Sequence, residues 1–254
     1  MSAPVITTLR CSVRNRSILE IGCGQGVDAD VMTRYCRRYV GVDLSEQSIE
    51  IARREVGKRQ PIRARPIFLT ADAEALPFHD QQFDMVYSVG VLHHTPDFLA
   101  AILEAHRVLE PDGALVLMLY RSYTPLWLVL RTLRGALCVP LIGPWVKNKI
   151  IGMLRTAKSG EGGSSTGTAF VELVGCPIID TYTLRGLRRI FDGRFVIEDA
   201  DCYRVGFDQI VRCTPSFFRS IWPQRWMTWC EERLRRWLGF YLVVTARKLG
   251  ESTA

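Results

Sequence analysis

The stretch Ile18–Gly26, ILEIGCGQG, constrains this chain more than any other. Ile18, Leu19 and Ile21 make a short apolar run, broken by Glu20, of the kind that forms a buried parallel strand. Three glycines at alternate positions, Gly22, Gly24 and Gly26, follow at once. A strand that stops on residues without side chains ends in a tight turn, and a helix is expected beyond it. Strand, glycine turn and helix form the unit of an open α/β sheet, which presents nucleotide-like ligands beyond the carboxyl ends of its strands. Glycine matters there because a Cβ would hold the backbone away from the ligand.

The rest of the chain repeats the unit. After the loop, Val27, Val31 and Tyr35 at i, i+4, i+8 predict the inward face of the first helix. Tyr39–Val42 reads as a second strand ending at Asp43. Ser45 caps the next helix, with Ile49, Ala52 and Val56 toward the sheet and Arg53, Arg54 and Lys58 near its end. Ile67–Thr70 and Phe83–Val89 are the third and fourth strands, with a turn at Leu76-Pro77-Phe78 between them. A loop over Gly90–Pro96, a helix over Asp97–Leu109 and a turn at Pro111-Asp112-Gly113 lead to a fifth strand, Ala114–Tyr120. Strands and helices alternating over residues 18–120 describe an α/β, doubly wound parallel sheet. Farther on, Thr183 caps a short helix, Phe195–Ala200 reads as a sixth strand and Gly239–Ala246 as the last.

Composition narrows the setting. A chain of 254 residues with 48% hydrophobic content has ample material for a core. The net charge of +7 is spread along the chain and reads as a solvated basic surface. Eight cysteines without a CxxC pair, and no leader-like start, imply reduced thiols in a cytoplasmic protein. None of the four histidines has zinc-like spacing with a cysteine, so no metal is expected.

The glycine spacing selects among ligands. A dinucleotide fingerprint is GxGxxG, whose third glycine packs the helix on the sheet; here that position is Val27 and the pattern is GxGxG. Asp43, in VGVDLS, stands where a carboxylate can accept both hydroxyls of a ribose, or the amides of the helix starting near Ser45. Asp72, in TADAEALPF, can accept from an adenine amine or simply close a turn. With Glu20 and the loop, these segments resemble the class I S-adenosylmethionine-dependent methyltransferases, especially the branch of the ubiquinone and menaquinone C-methyltransferases. FDMVYSVGVLHH and RVLEPDGALVLMLY extend the resemblance over roughly residues 17–120.

The resemblance implies a seven-stranded Rossmann-like sheet with its last strand antiparallel, and S-adenosylmethionine as the cofactor. It implies that Glu20 helps hold the methionine end, with Gly22, Cys23, Gly24 and Gly26 forming the loop. Asp43 becomes the ribose acid and Leu44 packs on the adenine. Asp72 and Ala73 lie beside the base, and Ser88 and Val89 under the methionine part. His93 and His94 overlook the reactive methyl, where one can act as general base or merely hydrogen-bond backbone or cofactor. Methyl transfer from a sulfonium needs little acid–base help, so positioning is the expected mechanism.

Acceptor choice then falls to the inserts. Residues 1–16 are a lead-in and 17–120 the cofactor-binding core. Residues 121–181 form a lid insertion, and 182–254 complete the sheet around a second, irregular insertion at 204–238. Many relatives carry lid helices ahead of the first motif; here only about 17 residues precede it, so either the 121–181 insertion replaces that lid or the start of the chain is short. Tyr120, Tyr123, Trp127 and Trp145 are candidates for an apolar pocket, or ordinary core. The second insertion interleaves Phe217, Phe218, Trp222, Trp226, Trp229 and Trp237 with arginines. It reads first as a hairpin packed on the sheet, second as a peripheral membrane or lipid-binding face, third as a nucleic-acid contact. A small or lipophilic substrate is expected. A methyltransferase-like binding module without turnover is the alternative, and a nicotinamide dehydrogenase the third reading.

Overall fold

The computed structural model describes residues 13–58, 62–124, 180–203 and 224–250. Among the described residues there are seven strands: β1 (Ser17–Ile21), β2 (Arg38–Asp43), β3 (Ile67–Thr70), β4 (Phe83–Val89), β5 (Leu109–Tyr120), β6 (Phe195–Tyr203) and β7 (Tyr241–Lys248). They form one sheet in the order β3-β2-β1-β4-β5-β7-β6, with the last strand antiparallel. That order seats β7 between β5 and β6 and so departs from the dinucleotide-binding 3-2-1-4-5-6 arrangement, which counts against the dehydrogenase reading. Helices α1 (Ala29–Met32), α2 (Glu46–Glu55), α3 (Phe98–Val108), α4 (Leu184–Phe191) and α5 (Gln224–Leu238) lie between strands.

Register decides which side chains meet. Ile18 pairs with Tyr39 and Met85, and Glu20 with Gly41 and Tyr87, so these residues share one face of the sheet. They pack with Ala29, Met32, Cys36, Ile49 and Ala52 from α1, its trailing turn and α2. Each large apolar side chain buried there is worth roughly 1.5–3 kcal/mol. Leu19, Ile21, Val40, Val42 and Val86 fill the other face and are as completely buried.

The inward face expected for α1 is overturned at Val27. Val27 is 76% exposed, while Ala29, Met32, Thr33 and Cys36 are buried. The helix begins only at Ala29, because the chain first turns through Gly26, whose missing Cβ leaves room for Val56. That delay shifts the helical phase away from Val27, whereas Val31 is half-buried and Tyr35, just past the helix, packs partly buried against the core. The Pro111-Asp112-Gly113 turn is likewise not a break: Phe83 pairs with Leu109 and Met85 with Ala114, so the extra residues form a bulge within β5. Asp112 takes φ +59° there. Lys248, at the end of β7, is buried and donates to the His106 and Leu109 carbonyls, both at 2.8 Å, closing the last turn of α3.

The chain divides into two compact units, residues 1–119 with 182–201 and 242–254, and residues 120–181 with 202–241. In the second unit, the Arg121 amide donates to the Phe240 carbonyl (2.8 Å) and Tyr120 stacks on Phe240 with centroids 4.7 Å apart. Tyr120 is thus core, and Tyr123 is 92% exposed; Trp127 and Trp145 lie outside the described residues. The 204–238 insertion is not irregular throughout, since 224–238 is helical. On that helix Cys230 is buried and Leu234 and Leu238 half-buried, at i, i+4, i+8. Trp229 (58%) and Trp237 (77%) are turned outward, against the expectation of packed aromatics. Phe217, Phe218 and Trp222 lie outside the described residues.

Candidate functional site

The glycine loop leaves β1 and is tied to β2. Gly22 and Cys23 both donate their amides to the Val42 carbonyl, at 2.8 and 3.0 Å. The Gly24 amide donates to Asp43 Oδ2 (2.9 Å), and the Gly26 amide to the Cys23 carbonyl (2.9 Å). Four loop amides are thereby engaged inside the protein rather than aimed outward as a phosphate cradle would need. The glycines divide their tasks. A Cβ on Gly22 would fall 2.1 Å from Val91, and one on Gly26 2.4 Å from Val56. Both are packing positions. At Gly24, with φ +52°, a Cβ would meet nothing within 4 Å. That is the one loop glycine facing open space, and a side chain there would fill it.

The acids stand at the ends of neighbouring strands. Asp43 closes β2: Oδ2 takes the Gly24 amide, and Oδ1 the Ser45 amide at 2.9 Å. The helix-start reading of Asp43 is thus met by the Ser45 amide, and each carboxylate oxygen keeps a second lone pair that can accept from a ligand. Leu44, beside it, is 75% exposed. Asp72 lies just beyond β3, exposed, with Oδ1 accepting the Glu74 amide at 2.9 Å; Ala73 is buried behind it.

Glu20 is placed differently from a surface ligand. It is 4% exposed and accepts a short hydrogen bond from the Tyr39 hydroxyl. On the far side of Tyr87, its partner in register, the Tyr87 hydroxyl donates to Asp28 Oδ2 at 3.1 Å. Burial, with the Asp28 carboxyl nearby, pushes Glu20 up from 4.5 to about 8. Burial also raises Asp28, against the pull of the Tyr87 hydrogen bond. Asp28, Tyr39 and Tyr87 were not singled out from sequence; the only local signal was an Asp two residues past the last loop glycine.

The sign of the Glu20 effect on stability is definite. Between about 4.5 and 8 the folded protein holds a proton that the unfolded chain has released. Stability therefore falls as pH rises across that interval. Glu20→Gln is expected to flatten this dependence, so that urea melts at about pH 6 and about pH 9 differ less than in the parent by a few kcal/mol. An unchanged pH slope would refute the buried, protonated Glu20.

Past β4, Gly90 takes φ +76° and the chain folds into a short 3-10 turn, Leu92–His94. Val91 seats against Gly22, so this segment and the glycine loop support each other. Ser88 is buried, and its hydroxyl has no hydrogen-bond partner among the described residues. Val89 packs partly buried on the core. His93 is fully buried, and its ring lies 4.1 Å from that of half-buried His94. Burial, helped by His94, pushes His93 down to about 3. A ring so weakly basic is a poor proton acceptor at neutral pH.

Gly24, Asp43, Asp72, Ser88 and Val89 thus come together at the carboxyl ends of β1, β2, β3 and β4, four adjacent strands. An open position at Gly24, a carboxylate with spare acceptors and a buried hydroxyl with spare capacity fit a nucleoside carrying an amino-acid end. Glu20 lies beneath this surface. Among the described residues, no three His, Cys, Asp or Glu side chains gather as around a metal ion.

A methyltransferase domain model matches residues 19–117. The 27-O-demethylrifamycin SV methyltransferase of Amycolatopsis mediterranei is 40% identical over 101 residues, 39% of this chain and 37% of that one. The fatty-acid O-methyltransferase of Mycolicibacterium smegmatis is 37% identical over 109 residues, 42% of this chain and 38% of that one. The matched stretch thus spans little more than a third of either relative. The YcgJ protein of Bacillus subtilis shares the fold with a TM-score of 0.60 at 16% identity, over 99% of this chain and 100% of that one.

Proposed function

We propose that residues 19–117, which match a methyltransferase domain, form a class I S-adenosylmethionine-dependent methyltransferase core, and that the chain methylates a small or lipophilic molecule, mainly by positioning. The carrying observation is the cradle at Gly24, open where a side chain would stand, with Asp43 bound to its amide and Asp72 one strand farther out. When bound, S-adenosylmethionine supplies a methyl group already activated by its sulfonium.

The chain's own residues have distinct tasks in this reading. Asp43 holds the ribose hydroxyls while keeping the Gly24 amide in place. Asp72 accepts from the adenine amine, with Ala73 behind the base and Leu44, exposed, laid along it. Ser88, Val89 and the loop residues Gly22, Cys23 and Gly26 shape the methionine end, and Glu20 with Tyr39 forms its floor. His94 takes the proton from an acceptor hydroxyl, and His93 packs under it. The substrate class is supported by the names of the relatives, which act on a rifamycin and on fatty acids.

Titration with S-adenosylhomocysteine, followed by incubation with labelled donor and a panel of hydroxylated and carboxylated lipophilic compounds, tests the proposal. Product binding with labelled ester or ether is the expected result. Binding without any transfer favours the module without turnover; no binding by folded protein removes the cofactor reading. With an acceptor in hand, His94→Ala should lower kcat about tenfold to a thousandfold while leaving donor KM within about twofold. Unchanged kcat would leave positioning as the whole mechanism.

A further inference from the structure

The segment carrying Asp72 has little structure of its own. Between β3 and β4 it is held internally by the Asp72 side-chain turn, an Ala75 amide bond to the Asp72 carbonyl (3.2 Å) and a Phe78 amide bond to the Leu76 carbonyl (2.8 Å). Most of its fastening comes from α3. Arg107 Nη1 donates to the Phe78 carbonyl (2.7 Å) and to Asp80 Oδ1 (2.8 Å). Arg107 Nη2 donates to the Leu76 carbonyl (3.0 Å) and to Glu104 Oε2 (2.7 Å), and Nε donates to Glu104 Oε1 (2.8 Å). Glu104 Oε2 also accepts the Leu76 amide at 2.8 Å. Nearer Asp72, the Asp97 amide, at the start of α3, donates to Glu74 Oε1 at 2.8 Å.

This is more than a surface ion pair. Asp80 is 72% exposed and contributes little, but two backbone carbonyls and a backbone amide of the segment are read by one Arg–Glu unit. A planar guanidinium reaches both carbonyls and the carboxylate at once; an ammonium cannot span that set. Glu104, one turn before Arg107, fixes the guanidinium plane through two hydrogen bonds. The segment is therefore shaped before anything binds, and a shaped loop spends less free energy on ordering at the moment of binding.

We propose that Arg107, oriented by Glu104, is a positioning residue that presets the 72–78 segment for the base of the cofactor, so that recognition of adenine depends on α3. The inference rests on the reading of Asp72 as acceptor for the adenine amine. It concerns an arginine that binds the segment from its α3 side, outside the residues assigned to the cofactor.

The test compares two ligands by calorimetry on the full chain: S-adenosylhomocysteine and its deaminated analogue, S-inosylhomocysteine, in which a carbonyl replaces the adenine amine. The parent protein should prefer the adenine form by at least about tenfold. Arg107→Met should weaken S-adenosylhomocysteine about tenfold and the inosine analogue less than about twofold, collapsing the preference, with Arg107→Lys in between. Glu74→Ala, at the other tether, should give about a threefold loss in the same sense and supplies the test where Arg107→Met does not fold. Equal losses for both ligands would mean a purely structural arginine, and an undiminished preference in both variants would also overturn the proposal. A parent that binds both ligands equally would remove the Asp72 reading and the proposal with it; a parent that binds neither would remove the cofactor reading itself.

Discussion

Gly24→Val protein is expected to fold and to lose S-adenosylhomocysteine affinity by at least about a hundredfold. The argument is steric. A Cβ at Gly24 meets nothing within 4 Å, so the folded protein has room for the new side chain, and that room is where the proposed function runs the cofactor over the loop. The cost to stability is confined to the left-handed backbone, φ +52°, which a β-branched residue adopts at roughly 1–2 kcal/mol. Gly22→Ala and Gly26→Ala reverse the balance. Their methyls would fall 2.1 Å from Val91 and 2.4 Å from Val56, so these proteins should lose several degrees of Tm from the smallest possible substitution. Thermal melts beside calorimetry separate the two behaviours. Gly24→Val with parental affinity would sink the loop assignment.

Asp43→Ala should produce a loss of similar size, at least about a hundredfold in affinity, for a different reason. Two charge-assisted hydrogen bonds to a diol are worth roughly 1.5–3 kcal/mol each. The same carboxylate tethers the Gly24 amide and starts α2 through the Ser45 amide, so removing it also loosens the loop. Because the Ser45 amide is exposed and the Gly24 amide only partly buried, the folded state should lose only about 1–2 kcal/mol. Asp43→Asn keeps one acceptor oxygen and should recover part of the affinity. The informative measurement is again affinity against Tm. A full loss of stability with intact affinity in the surviving fraction would make Asp43 a helix cap and nothing more.

The legible features were those encoded in local spacing. β3 and β4 have the boundaries expected from their apolar runs, and β1 and β2 differ by a residue at the ends. Asp43 and Asp72 could be placed because each follows an apolar run at the point where its strand stops, and parallel strands all stop on the same side. Ser45, Asp97 and Thr183 were readable as helix starts, and each accepts an amide three residues on, at 3.2, 3.0 and 3.0 Å. The family likeness added the antiparallel last strand, which no local pattern announces.

Other features depended on distance in space. The phase of α1 followed from Val56 packing on Gly26, thirty residues away in sequence, and Val27 was consequently misplaced on an inward face. The outward Trp229 and Trp237 depended on Cys230, Leu234 and Leu238 claiming the inward side of α5. Two adjacent histidines looked equivalent as letters, yet one is buried and weakly basic and the other half-exposed.

Ile18–Gly26 shows the division most clearly. By itself the sequence determined a strand, a glycine turn of GxGxG spacing and an acid before it, because a short apolar run and missing side chains act on the backbone locally. Only the tertiary structure decided that Gly24 alone faces open space, that Asp43 is bound to its amide, and that Glu20 is buried against Tyr39 with Asp28 close enough to oppose its ionisation. Electrostatics and packing act between atoms that are near in space, and the sheet register sets those neighbours.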